Sequence, residues 1–224
     1  MNATLAERIE QVEHRIQAAV QRAGCSRDQI TLVAVTKKFS ATTICEAYAC
    51  GLRVFGENYV QEFAEKRPAL SGFADAQFHL IGHLQSNKAR QAAELFHTVE
   101  TVDSEKLARR LQEIGRPLEV MIEVKLSPEG TKAGAAPYEL PGLIEAIRAC
   151  PNLRLTGLMT MPPWHPDPET TRPFFRRLAE LGRIHQLPKL SMGMSHDLEA
   201  AIEEGATHIR VGTALFGLRP KAQS

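Results

Sequence analysis

The sequence predicts an α/β fold, a (β/α)8 TIM barrel preceded by an extra N-terminal helix. Three observations carry this expectation. Eight runs rich in Val, Ile, Leu and Phe alternate with segments of helical character, the count such a barrel needs. The chain has 224 residues, enough for one barrel with tight connections and little room for a second domain. The competing arrangement, an open doubly wound sheet, carries a G-x-G-x-x-G turn after its first strand, and no such turn follows here.

The elements follow in order. Leu5, Ile9, Val12, Ile16 and Val20 recur at helical spacing, so residues 3–23 read as an amphipathic helix ending at Gly24, a natural C-cap. Strand runs stand at 30–36, 53–56, 78–82, 98–102, 118–124, 153–161, 189–194 and 208–216. Helical segments fill the intervals at 41–50, 59–70, 86–96, 104–115, 137–149, 169–186 and 196–204. Several begin with residues suited to N-capping: Ser40 or Thr42, Ser86, Asp103 with Ser104, and Ser195. Gly51, Gly72, Gly115, Gly182 and Gly205 fall near helix ends. Pro162-Pro-Trp-His-Pro-Asp-Pro168 reads as a loop after the sixth strand. With no low-complexity linker in view, residues 1–224 are expected to form a single domain.

Bulk properties narrow the partners. A net charge of +1 gives no basic footprint for nucleic acid or anionic membrane. Cys25, Cys45, Cys50 and Cys150 form no CxxC pair and no zinc spacing, and read as small core residues in a reducing compartment. Glu7 and Glu10 stand where a signal peptide needs an apolar run, and no stretch is long enough to span a bilayer. The expectation is a soluble cytoplasmic protein.

Barrel sites lie at the C-terminal rim of the strands. The rim positions here are Lys37, Glu57 with Asn58, His83, Asp103, Lys125, Met159 to Met161, Ser195, and Gly212 with Thr213. Lys37 closes the run Ile30-Thr-Leu-Val-Ala-Val-Thr36, where an amine can capture an aldehyde as a Schiff base; a solvated lysine at a strand end is the competing reading. Lys38 leaves the strand in the opposite direction, and Lys125 is a rival amine without an obvious partner. Ser195 is expected to cap the next helix, whose free N–H groups suit an anion. Gly212 lets backbone approach a ligand, and Thr213 adds an N–H and a hydroxyl. Arg210 shares a strand face with Gly212, and its buried guanidinium needs a partner. A pyridine nitrogen is one candidate and a core salt bridge to Glu123 is another. Asn58 could orient a ring held on Lys37 or simply begin a helix, and Glu57 reads as solvated or paired. His79 and His83 lie four apart without a third ligand pattern, so no metal site is expected.

Six segments together are more specific. They are Val33-Ala-Val-Thr-Lys37, Phe55-Gly-Glu-Asn-Tyr-Val-Gln-Glu62, His79-Leu-Ile-Gly-His-Leu-Gln-Ser-Asn-Lys88, Gly157-Leu-Met-Thr-Met161, Leu190-Ser-Met-Gly-Met-Ser195 and Arg210-Val-Gly-Thr-Ala-Leu-Phe-Gly217. In this order, from about residue 5 to residue 218, the chain resembles the pyridoxal phosphate homeostasis proteins, small relatives of the alanine racemase N-terminal barrel. The resemblance implies pyridoxal 5′-phosphate (PLP) as cofactor, bound through Lys37, with phosphate contacts from Ser195, Gly212 and Thr213 and a pyridine-nitrogen contact from Arg210. A permanently cationic arginine there leaves that nitrogen unprotonated and weakens the cofactor as an electron sink. Many members carry Asn where this chain has Lys125, before Ser127 and Glu129; Lys132 and Gly134 keep the family pattern.

Three functions compete. The favoured one is a PLP-binding protein that stores, delivers or scavenges the cofactor in vitamin B6 homeostasis without turnover, as a monomer, with PLP-dependent apo-enzymes as partners. An amino-acid racemase is the alternative. It needs a second acid–base group opposite Lys37, which racemases of this barrel class take from a C-terminal β domain; of Tyr48, Tyr59 and Tyr138, only Tyr59 is near the rim. A Schiff-base aldolase is third, and the placement of Lys37 on the first strand argues against it.

Overall fold

The computed structural model describes residues 3–127 and 133–218. Glu129 and Lys132 therefore lie outside the described residues. Helix α1 (Leu5–Ala23) is closed at its start by a capping box, in which Glu7 N–H donates to Thr4 Oγ1 and Thr4 N–H donates to Glu7 Oε2 at 2.7 Å. It ends at Gly24, whose φ of 67° is the left-handed cap expected there. Val12, Ile16, Ala19 and Val20 form its buried stripe.

Beyond α1 the chain alternates strand and helix: β1 (Thr31–Val35), α2 (Ala41–Ala49), β2 (Val54–Glu57), α3 (Val60–Lys66), β3 (Gln77–Leu80), α4 (Ala89–Leu95), β4 (Thr98–Val102) and α5 (Glu105–Gln112). The second half continues with β5 (Leu118–Glu123), α6 (Leu140–Arg148), β6 (Leu153–Met159), α7 (Arg172–His185), β7 (Lys189–Met194), α8 (Leu198–Glu203), β8 (His208–Val211) and α9 (Thr213–Phe216). The eight strands pair in sequence order, all parallel, and β1 meets β8 to close the barrel. The predicted fold class is the one observed.

The last strand is shorter than predicted. The apolar run 208–216 was expected to be all strand, yet after Val211 the Gly212 carbonyl accepts from Leu215 N–H and Phe216 N–H at 3.0 and 2.9 Å. Short apolar runs have the same composition in either state, so periodicity alone does not separate them.

Alternation along each strand sorts side chains between two interiors. On β1, Leu32 and Ala34 join the apolar layer between barrel and helices, together with Phe55, Phe63, Phe78 and Phe96. Val33 and Val35 face the barrel lumen, and the same alternation turns Lys37 toward its mouth. The lumen itself is polar, holding buried His79, Glu100, Ser191, His208 and Arg210. Such groups persist inside a protein only when hydrogen-bonded to one another.

Candidate functional site

A cavity of about 100 Å³ opens at the C-terminal ends of β1, β7 and β8. All six residues singled out in the sequence, Lys37, Asn58, Ser195, Arg210, Gly212 and Thr213, line it. Val35, Phe39, Ile81, Met161, Met194 and Gly217 complete its wall. Of these, only Met161 had been placed at the rim by sequence. The others are apolar or glycine positions at or just beyond strand ends, with no chemical signal of their own.

Lys37 stands on a tight turn. Phe39 N–H donates to the Thr36 carbonyl at 3.1 Å, and Lys38 takes a φ of 65°, the left-handed value that the third position of a type II turn requires. Lys38 is exposed and does not line the cavity. Behind the turn, Lys66 Nζ donates to the Thr36 carbonyl at 3.0 Å and bridges Glu57 at 2.8 Å and Glu62 at 2.6 Å. Thr36 Oγ1 donates to the same Glu57 oxygen at 2.8 Å. Burial pushes the Glu57 carboxyl up and its contacts with Lys66 hold it back. Glu57 is thus a paired residue of the outer layer that anchors the Lys37 turn from behind.

Asn58 follows directly, and its Oδ1 is buried without a hydrogen-bond partner. Its backbone lies so close to Gly82 that a Cβ there would stand 2.3 Å from the Asn58 carbonyl oxygen. Only glycine permits this approach of β2 to the loop after β3.

Ser195 differs from its predicted role. Helix α8 begins at Leu198, and its N-cap is Asp197, whose Oδ1 accepts from Met194 N–H at 2.7 Å. Ser195 lies on the turn before it, and its hydroxyl accepts instead from Gly212 N–H at 3.3 Å and Ala214 N–H at 3.2 Å. The β7 and β8 exits are joined by this contact. Gly193, at a φ of 85°, makes the turn possible; a side chain there would also run into Ala201. Helix α1 steadies both loops. Arg15 forms a two-pronged bridge to Glu199 at 2.6 and 2.7 Å and donates to the Ser195 carbonyl at 2.9 Å, while Arg8 reaches the Leu215 carbonyl at 3.3 Å.

Arg210 is held from below. Nη1 donates to Ser191 Oγ at 2.7 Å and Nη2 to the Thr160 carbonyl at 2.8 Å. Ser191 in turn donates to Glu100, whose other oxygen lies 2.7 Å from His79 Nδ1. Burial alone would raise Glu100, but its hydrogen bond to His79 and the charges of His79, Arg210 and His208 outweigh it and bring the carboxyl down to about 2. The salt bridge to Glu123 considered from sequence does not form within 4 Å. Arg210 finds its partners on β7 and after β6.

The remaining rim candidates stand apart. Lys125 and Glu123 line a second, adjoining cavity of about 310 Å³. His83 is exposed and lies 3.7 Å from Asp103. Tyr59 and Tyr138 are exposed, Tyr48 bonds Asp75 on the outer surface, and none of the three lines the Lys37 cavity. Among the described residues, no group of three or more His, Cys, Asp or Glu side chains is arranged to hold a metal ion. No helix among them is long and apolar enough to cross a membrane.

A lysine after the first strand thus faces a serine and the turn after the eighth across one cavity of a closed parallel barrel. Residues 8–220 match the family model described as "Alanine racemase, N-terminal domain". The alanine racemase of Corynebacterium glutamicum shares the fold with a TM-score of 0.67 at 21% identity, over 94% of this chain and 62% of that one. The nearer relatives are more specific. The chain is 47% identical to the pyridoxal phosphate homeostasis protein of Pseudomonas aeruginosa, over 97% of this chain and 96% of that protein. It is 41% identical to the Escherichia coli K12 protein of the same name, over 96% and 97%. PipY of Synechococcus elongatus, solved with PLP bound, aligns with a TM-score of 0.83 at 38% identity, over 96% of this chain and all of that one. This chain belongs to the pyridoxal phosphate homeostasis protein family.

Proposed function

We propose that this protein binds PLP in the Lys37 cavity and acts in intracellular vitamin B6 homeostasis as a carrier, without catalytic turnover. One observation carries the reading: an amine, a hydroxyl with two backbone N–H groups, and a fixed guanidinium converge on one cavity that no tyrosine lines. The donor set suits the cofactor. Ser195 and the N–H groups of Gly212 and Ala214 form a cluster suited to a phosphate dianion, with the Thr213 hydroxyl beside them. The buried, unpartnered Oδ1 of Asn58 is an acceptor suited to a ring hydroxyl. Arg210, braced by Ser191 and Thr160, is a rigid donor for an unprotonated pyridine nitrogen.

When bound, PLP supplies an aldehyde carbon that can be held and handed on. Lys37 is the amine that would hold that aldehyde covalently, as a Schiff base. The Lys66–Glu57 pair keeps the Lys37 turn in place. Arg210 cannot protonate the ring nitrogen, so the site holds the cofactor without making it a strong electron sink. Racemisation needs a second acid–base group opposite Lys37, and the positions of Tyr48, Tyr59 and Tyr138 argue against it. Four free cysteines suit the cytoplasm, and the protein is proposed to act as a monomer.

The carrier role is tested by transfer. Holo-protein is mixed with a PLP-dependent apo-enzyme while an excess of aldehyde trap removes free cofactor. Activity regained by the acceptor supports delivery; an acceptor that stays inactive overturns it.

A further inference from the structure

The second cavity at the barrel mouth raises a question that a cofactor site alone does not answer. Glu123 ends β5 and is only 4% exposed, yet its Oε2 has no hydrogen-bond partner. A buried carboxylate oxygen left unbonded is costly and calls for a ligand. Glu123 lines a cavity of about 310 Å³ together with Lys125 and Ser127, and its other walls are apolar, among them Leu126, Pro163 and Trp164. Met161 and Met194 line both this space and the Lys37 cavity, so the two share a wall. Burial and the nearby Asp103 charge push this carboxyl up, so a cationic partner is what would hold it ionised, and the site joins that unsatisfied oxygen to a short apolar trough beside the proposed cofactor.

We propose that this trough is a subsite for small primary ammonium compounds, with Glu123 accepting the ammonium hydrogens and the apolar wall taking a short aliphatic tail. An ammonium group matches a buried carboxylate in charge and in hydrogen-bond sense, whereas an anion would meet repulsion and a neutral hydrocarbon would leave Oε2 bare. An amine bound here lies beside the group held on Lys37. The subsite therefore brings amine-bearing metabolites to the carrier, a purpose that rests on the PLP reading, although the pocket itself does not.

Trp164 is the chain's single tryptophan and lines the trough, so its emission reports occupancy. Holo-protein is first reduced with borohydride, which fixes the cofactor and prevents exchange with added amine. It is then titrated with n-butylammonium chloride and, separately, with 1-butanol of similar shape. Saturable change with butylammonium is expected at concentrations about tenfold below those for butanol, and Glu123→Gln should remove that difference. The variant's circular dichroism and melting curve establish that it is folded. No saturable change, or equal titrations in wild type and Glu123→Gln, overturns the subsite. A failure of the cofactor reading appears separately, as no reduced adduct on Lys37; the same titrations on unreduced protein then still decide the Glu123 proposal.

Discussion

Arg210 donates from Nη1 to the hydroxyl of Ser191 at 2.7 Å, and through that hydroxyl it is tied to Glu100 and His79 deep in the barrel. The guanidinium that faces the Lys37 cavity is thus the top of a four-residue polar column, fixed by its lower members. Ser191→Ala should leave a buried guanidinium short of one acceptor and lower stability by about 1–3 kcal/mol. PLP affinity should fall by about tenfold while the adduct on Lys37 still forms. Urea unfolding and a cofactor titration measure the two effects.

The barrel lumen around this column sets an acid response. Burial lowers the His208 imidazole from 6.5 to about 4, so it stays neutral when folded and takes its proton more readily when unfolded. The folded pKa is the lower one, so this stability is complete above pH 6.5 and is lost as pH falls toward 4, on the order of 3 kcal/mol. Glu100, down from 4.5 to about 2, adds a second loss in the same direction at lower pH. Denaturant midpoints between pH 7 and 4.5 should fall for the wild type and fall less for His208→Asn. Parallel curves for the two proteins would contradict the assignment.

Lys66→Met should be the most damaging change outside the cavity. It strands the Glu57 carboxylate, fully buried and already pushed up by burial, and frees the Thr36 carbonyl behind Lys37. Removing one member of a buried pair costs about 3–5 kcal/mol. Thermal melting checks the loss, and Lys66→Met with Glu57→Gln together should recover part of it.

Arg15→Ala tests whether α1 steadies the Ser195 turn. The Arg15–Glu199 bridge is about one-third exposed, so solvent screens it and the stability loss should be no more than about 1 kcal/mol. Binding should suffer more than stability, because the Ser195 carbonyl also loses its donor. Equal PLP affinity in variant and wild type would show that the turn holds without α1.

For turnover, holo-protein incubated with L-alanine in deuterium oxide should exchange the α-proton no faster than free PLP does. Exchange well above that background would revive the racemase reading.

Much of this was legible in the sequence because its signals are local. Strand runs such as 30–36 and 98–102 lie within a residue or so of β1 and β4, and the rim positions Lys37, Asn58, Ser195, Gly212 and Thr213 follow from counting along each strand. What escaped depends on which residues face one another across a closed barrel. Glu100 and Ser191 sit mid-strand and His208 opens β8, and all three look like ordinary polar interruptions until the lumen brings them together. Ser195 has the chemistry of an N-cap, yet the turn spends its hydroxyl on N–H groups from the next strand exit, and the N-cap position falls to Asp197, whose side chain bonds Met194 N–H instead of the helix. From sequence Glu123 reads only as a partner for Arg210, because nothing local reveals that its acceptor is left unfilled.

Covalent capture of PLP by Lys37 is read from the absorbance spectrum of the purified protein before and after borohydride, with mass analysis of the Lys37 peptide. A yellow band that reduction removes and a reduced PLP adduct on Lys37 are expected, both lost in Lys37→Ala. A protein that stays colourless after PLP is added, or an adduct found on Lys125 instead, would contradict it.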